Sequence, residues 1–182
     1  MCGIIGIYNY NGQQIDVSLV EKMTNILGHR GPDDSGVFVD NNIGLGHRRL
    51  SIIDLSMLGR QPMPNEDNTL QIVFNGEIYN FQELRNILEK NGHNFKSKTD
   101  TEVILHGYEQ WGCDCVKKFD GMFALAIWDK KNQQIFLARD RLGEKPLYYY
   151  FDREKFIFAS TMEVYGWQKE RADFVNYKKD ED

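Results

Sequence analysis

Met1-Cys2-Gly3 offers the clearest chemistry in the chain. Once Met1 is removed, Cys2 carries a thiol and the chain's own α-amine on one short frame. An α-amine has a pKa of about 8 and a thiol about 8.5, so near neutral pH the amine can take the thiol's proton. A nucleophile and its base then come from one residue, and activity depends on a processing event, because with Met1 attached the amine is an amide. The competing reading of Cys2 is a small hydrophobe opening an edge strand. Cys113 and Cys115 are too close in sequence for ordinary disulfide geometry and lack the second pair of a zinc site, so they read as reduced thiols near a helix end.

Three further places could bind or polarise a substrate. Asn75-Gly76 between apolar residues reads as a tight turn, or as a side-chain amide and a backbone N–H suited to a developing oxyanion. Arg49 heads an apolar stretch and needs an anion, with an internal carboxylate as the default and a substrate as the alternative. Asp100 suits a helix cap. The 28–36 segment, GHRGPDDSG, cannot bury itself and is either a surface turn or a cover for substrate.

The elements that would hold these residues follow from periodicity. Residues 3–9 form an apolar strand, and Val20, Met23 and Ile26-Leu27 recur at helical spacing from Asp16 to Gly28. A hairpin spans 37–47, and apolar residues on both parities of 48–54 predict a further strand buried on both faces. A strand over 70–74 leads into Asn75-Gly76-Glu77. Asn80 with Glu83 predicts a capped helix bearing Phe81, Leu84, Ile87 and Leu88 on one face, and a second helix runs from 97–102 to Trp111. Strands at 121–129, 134–140, 146–151 and 155–159 complete an α+β pattern of mostly antiparallel strands with helices outside.

Composition bounds the function. At 182 residues the chain suits one domain with a substantial core, at most with a tail. With 27 Asp and Glu against 22 Lys and Arg, and no basic stripe, it has no field to attract nucleic acid or an anionic membrane. No apolar run is long enough to span a bilayer and no signal-peptide pattern opens the chain, so a cytoplasmic location is expected.

Taken together and in order, Cys2-Gly3-Ile4, HRGPDDSG at 29–36, RRLSIIDL at 48–55, FNGEIYN at 74–80, TDTEVIL at 99–105, GMFALAIWD at 121–129 and RDRLGEKPLYY at 139–149 carry a resemblance. The chain resembles the N-terminal glutaminase domain of glutamine-dependent asparagine synthetases, a class II glutamine amidotransferase of the N-terminal-nucleophile hydrolase type, over residues 2 to about 160. The resemblance implies a four-layer αββα sandwich with Cys2 as nucleophile and Asn75 with the Gly76 N–H as oxyanion hole. It implies Arg49 on the glutamine α-carboxylate, Asp100 and Glu77 on the α-ammonium, and the backbone of Leu50, Ser51, Ile52 and Ile53 lining the pocket. The function implied is hydrolysis of L-glutamine to glutamate and ammonia, with the ammonia passed to ATP-dependent asparagine synthesis from aspartate.

The departures bear on that reading. Beyond Ser160 the sequence leaves the family pattern, and 161–182 is a charged tail, either a short exposed helix or disorder. No Ser-Gly-Gly-rich pyrophosphate loop and no G-x-x-x-x-G-K-S/T loop occurs, so the ATP-using synthetase domain is absent from this sequence. The expected partners are therefore L-glutamine and a synthetase domain or subunit supplied elsewhere, with a homodimer left open. No metal and no cofactor is expected on this chain, ATP and Mg belonging to the synthetase domain. The alternatives are a non-catalytic or truncated module acting by interaction, an ammonia donor to a different amidotransferase, and a hydrolase of another amide.

Overall fold

The computed structural model describes residues 1–51 and 56–164. Ile52, Ile53 and the charged tail from residue 165 onward lie outside the described residues. Among the described residues nine strands form two sheets. The first contains β1 (Gly3–Asn9), β2 (Asp34–Asp40), β3 (Ile43–Arg49), β8 (Tyr148–Phe151) and β9 (Lys155–Ala159), in the order β2-β3-β1-β9-β8. The second contains β4 (Met63–Pro64), β5 (Leu70–Ile78), β6 (Gly121–Asp129) and β7 (Gln134–Arg139), in sequence order. Every strand pair is antiparallel.

The period-2 alternation of the strands divides the core into three interfaces. On β1, Ile4 faces the second sheet while Ile5 and Ile7 face the helix α1 (Val17–Ile26). Ile4, Ile43, Leu45 and Phe158 meet Val73, Ala124, Ala126 and Trp128 between the sheets. On the far side, Ile72, Phe74, Ile78, Leu125 and Ile127 pack against the helices α2 (Phe81–Lys90) and α3 (Asp100–Trp111). The result is the four-layer helix-sheet-sheet-helix sandwich that the resemblance implied. Each fully buried Ile, Leu or Phe in these interfaces contributes about 1.5–3 kcal/mol.

The helix ends show where local signals hold and where they are overridden. The Asp16 carboxylate accepts from the Ser18 N–H at 2.9 Å and starts α1 as the sequence predicts. Asn80 does not cap α2 with its side chain. Its amide bridges instead to the Lys118 carbonyl (2.9 Å) and accepts from the Asp120 N–H (3.1 Å), so a tertiary tie replaces the predicted capping box. On α2, Leu84 and Leu88 are buried but Ile87 is 40% exposed, one position off the predicted face. Thr99 rather than Asp100 is the cap of α3, its hydroxyl accepting from the Glu102 N–H at 3.3 Å.

Three strand expectations are corrected. Residues 34–36 are not loop but the start of β2, paired with 47–49. Arg48 and Arg49 end β3 instead of opening a separate strand, and Leu50 and Ser51 have left the sheet. Asn75-Gly76 is not a turn. Both residues lie inside β5, whose register with β6 runs unbroken from Leu70 opposite Asp129 to Ile78 opposite Gly121. Gly76 is there because the strands approach closely: a Cβ would stand 2.2 Å from the Met122 carbonyl oxygen.

Candidate active site

Strand parity brings the nucleophile candidate and the oxyanion candidate to the same gap. Cys2 lies two residues before Ile4, and Asn75 two residues after Val73, and both Ile4 and Val73 point between the sheets. They meet in a cleft of about 270 Å³ also lined by Met1, Arg49, Leu50, Gly59, Gln61, Gly76, Glu77, Thr99, Asp100 and Lys145. That volume falls just below the ~300–1,000 Å³ of pockets for drug-sized ligands, as suits a free amino acid. A larger cleft of about 500 Å³ between α1 and β2 is lined by residues such as Glu21, Asn25, Ser35 and Arg60 and contains no cysteine.

Cys2 is seated by backbone groups. The Leu50 N–H donates to its Sγ at 3.4 Å, the Leu50 carbonyl lies 3.7 Å from the same sulfur, and the Arg30 Nε donates to the Cys2 carbonyl at 3.0 Å. The 29–36 segment is pinned to the end of β3: the Asp33 N–H donates to the Arg49 carbonyl (3.0 Å) and the Ser51 N–H to the Asp33 carboxylate (2.8 Å). Of the predicted wall from Leu50 to Ile53, Leu50 therefore reaches the cleft, whereas Ser51 is held by Asp33 and is not among the lining residues. Met1 sits at the cleft mouth, 57% exposed.

Two donors line the same cleft as the sulfur. Asn75 is 1% exposed, and its Nδ2 has no hydrogen-bond partner, a condition rare for a buried amide. The Gly76 N–H follows from ladder geometry. In an antiparallel pair, opposed residues exchange both backbone bonds or neither. Gly76 faces Phe123, whose N–H and carbonyl are both engaged by Asp140, at 3.2 and 2.8 Å. Gly76 is thus at a non-hydrogen-bonded position, and its N–H points away from β6, along the β5 edge. On the same edge the Phe74 N–H is taken by Gln61 Oε1 (2.6 Å) and the Ile78 N–H by Asp100 Oδ2 (3.1 Å).

The charged groups surround that edge. The Arg49 guanidinium is 7% exposed, donates to the Ser56 carbonyl at 2.9 Å and lies over Gly59, where a Cβ would stand 2.2 Å from Nη2. Burial raises the Asp100 carboxyl to about 6, against the N–H groups of Ile78, Thr101 and Asp100 itself, which lower it, while the charge of Glu77 adds to the rise. Glu77 is exposed at the rim. His47 is no base for Cys2: burial pushes it down to about 4, and its ring bonds the Phe74 carbonyl at 3.2 Å, joining the two sheets.

Sequence reasoning missed Lys145, Gln61 and the 140–145 turn. Burial raises the Asp140 carboxyl, but N–H donors from Glu144, Lys145 and Phe123 outweigh it and hold it low. That carboxylate fixes the turn that sets Lys145 in the cleft wall. Gln61 binds Phe74 and Thr101 together (2.6 and 3.2 Å) and so ties β5 to α3. Gln61 had no local signal, because its partners Phe74 and Thr101 are 13 and 40 positions away, whereas Lys145 lies within the quoted 139–149 motif and is set by Asp140 five residues back. Cys113 and Cys115 are free thiols as expected, following α3 in a short 3-10 segment, and burial pushes Cys115 up to about 12.

The two-sheet sandwich with an N-terminal cysteine at the gap is the fold of the N-terminal-nucleophile hydrolases. It is shared by the solved structure of glutamine phosphoribosylpyrophosphate amidotransferase from B. subtilis, with a TM-score of 0.77, 21% identity, and coverage of 91% of this chain and 43% of that one. The chain belongs to the glutamine amidotransferase domain family, which matches residues 1–178. It is 42% identical over 167 residues to asparagine synthetase (glutamine-hydrolyzing) 3 of Bacillus subtilis, covering 90% of this chain and 27% of that protein. It is 45% identical over 163 residues to asparagine synthetase (glutamine-hydrolyzing) 1 of the same organism, covering 88% and 26%. The chain thus spans about a quarter of the length of these relatives. Among the described residues no helix is long and apolar enough to cross a membrane.

Proposed function

We propose that this chain hydrolyses L-glutamine to glutamate and ammonia through a Cys2 γ-glutamyl thioester, and that the ammonia feeds ATP-dependent asparagine synthesis from aspartate in a synthetase domain or subunit. The observation that carries the reading is the buried, unpartnered Asn75 Nδ2 in the same cleft as the Cys2 thiol. Removal of Met1 frees the α-amine, which takes the thiol's proton. The Cys2 sulfur then bonds to the side-chain carboxamide carbon, and the oxygen gains the electron pair while accepting from Asn75 and the Gly76 N–H. As the oxyanion collapses the C–N bond breaks, and the Cys2 α-ammonium gives its proton to the leaving ammonia. Water next adds to the thioester carbon, the C–S bond breaks, and glutamate leaves.

Selection for a free amino acid falls to the charged rim. Arg49 presents a planar guanidinium for the α-carboxylate, and Asp100 with Glu77 accepts from the α-ammonium. The Leu50 backbone forms part of the same pocket wall. We take residues 1–160 as the glutaminase unit, with a cytoplasmic location, no nucleic-acid or membrane partner, and a homodimer compatible with the fold.

The test is intact-mass analysis coupled to glutamate release from L-glutamine, for the wild type and Cys2→Ala. Loss of the Met1 mass with turnover that falls by about 10⁴-fold or more in Cys2→Ala supports the reading. Processed protein without turnover would sink it and leave a module that acts by interaction.

A further inference from the structure

The His93–His106–Glu109 cluster lies outside the cleft and plays no part in the proposed hydrolysis. Three potential ligand atoms converge there: His93 Nδ1 to His106 Nδ1 is 3.1 Å, His106 Nδ1 to Glu109 Oε2 is 2.8 Å, and His93 Nδ1 to Glu109 Oε2 is 3.5 Å. Ligands at about 2.0–2.2 Å from one tetrahedral Zn²⁺ stand roughly 3.3 Å apart. The triangle therefore already has the size that one such ion spans.

The atoms behind the triangle supply an independent argument, because each ligand is turned by a partner of the kind that orients metal-bound groups. His93 Nε2 lies 3.1 Å from Gln110 Oε1, which assigns its hydrogen to Nε2 and leaves Nδ1 a lone pair. Glu109 Oε1 accepts from Asn65 Nδ2 at 2.8 Å, which turns Oε2 toward the imidazoles. His106 is 2% exposed, and its Nε2 is buried without a hydrogen-bond partner, facing the carboxylates of Glu66 at 3.5 Å and Glu102 at 3.9 Å. A hydrogen on that Nε2 suits the two acids and leaves Nδ1 for an ion. Phe95 packs edge-on against the His106 ring and fixes its plane.

We propose that His93 Nδ1, His106 Nδ1 and Glu109 Oε2 form a site for a divalent transition ion of the Zn²⁺ class, with a water completing the tetrahedron. The donor set of two imidazoles and one carboxylate suits Zn²⁺ better than Mg²⁺ or Ca²⁺, which require oxygen. In the metal-free protein one proton on His106 Nδ1 serves the triangle, and the ion replaces it. The ion would join α3 to the segment after α2, which carries His93, and through Asn65 to the connection between β4 and β5. Its role is structural: it clamps the helix whose first residue, Asp100, lies about 9 Å away along the axis at the cleft.

The experiment uses the processed chain, stripped with chelator and titrated with Zn²⁺ by calorimetry and with Co²⁺ by visible absorption. One equivalent of Zn²⁺ is expected, with a raised Tm and a Co²⁺ spectrum of tetrahedral nitrogen and oxygen ligands free of thiolate charge transfer. His93→Ala and Glu109→Gln should each weaken Zn²⁺ binding by more than about 100-fold, and Asn65→Ala by about tenfold. All three side chains are accessible enough that circular dichroism should report a native fold, and His93→Gln serves if His93→Ala does not. Absence of stoichiometric binding, or binding that survives His93→Ala and disappears in Cys113→Ser, would overturn the site. Because turnover is not the readout, failure here is separable from failure of the glutaminase reading.

Discussion

The two ends of α3 surround their polar groups differently. At its start, beside Asp100, the Asn75 amide is buried without a partner and a carboxyl is lifted to about 6. Further along, His106, Glu109, His93, Gln110 and Asn65 engage one another in a connected network, and the one orphaned atom, His106 Nε2, faces the carboxylates of Glu66 and Glu102. An orphaned donor is expensive, on the order of 1–3 kcal/mol, and a fold keeps one only where something else uses it. The first end is arranged for a guest whose charge changes during a reaction, the second for a fixed arrangement of donors.

That contrast can be broken most directly at Asn75. Asn75→Ala is expected to lower kcat for glutamine hydrolysis by about 10²–10³-fold while leaving KM nearly unchanged, measured as glutamate release. Near-normal turnover would show that the orphaned amide is not used. Arg49→Lys should act on the other parameter, raising the KM for glutamine by about tenfold or more with a smaller change in kcat, because an ammonium cannot make the bidentate pair. An equal fall in kcat alone would move Arg49 from binding to the reaction itself.

The pH dependence sharpens the comparison further. With its carboxyl raised to about 6, Asp100 is ionised at neutral pH and becomes protonated as pH falls through that value. The KM for glutamine should then rise by up to about tenfold per pH unit below 6, and an Asp100→Asn enzyme should lack this limb. For stability the sign is reversed: a raised carboxyl favours the fold below the unfolded value near 3.8 and loses that contribution as pH rises through 6. His47, lowered to about 4, contributes stability above its unfolded value near 6.5 and loses it as pH falls toward 4. Urea midpoints of His47→Gln and wild type should therefore converge over that acidic window; parallel curves would remove His47 from the account.

Much of this was legible in the residues. Cys2, Arg49, Asp100 and Asn75 could be singled out by residue type, each against a structural alternative, and only the resemblance implied that they share one pocket; the structure brings Cys2 and Asn75 to the gap beside Ile4 and Val73. The failures share a cause. Asn75-Gly76 carries a local turn signal, but nine residues of continuous pairing with β6 override it, and the glycine answers to the Met122 backbone instead. Asn80 gives up its cap for a tie to residues about 40 positions away. The His-x-x-Glu spacing at 106–109 is visible on a helix, yet His93 joins it only because the chain folds back after α2, which no window along the sequence reveals.

The position of β1 sets an order of events. β1 lies in the middle of its sheet, with Ile5 opposite both Gly46 and Ala159, and the Ile4 N–H donates to the Ser160 hydroxyl at 3.0 Å. Contacts such as that of Ile4 with Ser160, 156 positions apart, form late, since loop closure must precede their reward. During synthesis the first residues therefore remain unseated until β8 and β9 leave the ribosome, and Met1 stays open to an aminopeptidase for that interval. A chain truncated after Asp152 is expected to leave the Cys2 thiol freely reactive toward maleimide, and equal protection in the two chains would refute this order. Cys2 is thus exposed for maturation until the β8–β9 hairpin has formed, and only then is it seated in the cleft with Asn75 and Gly76.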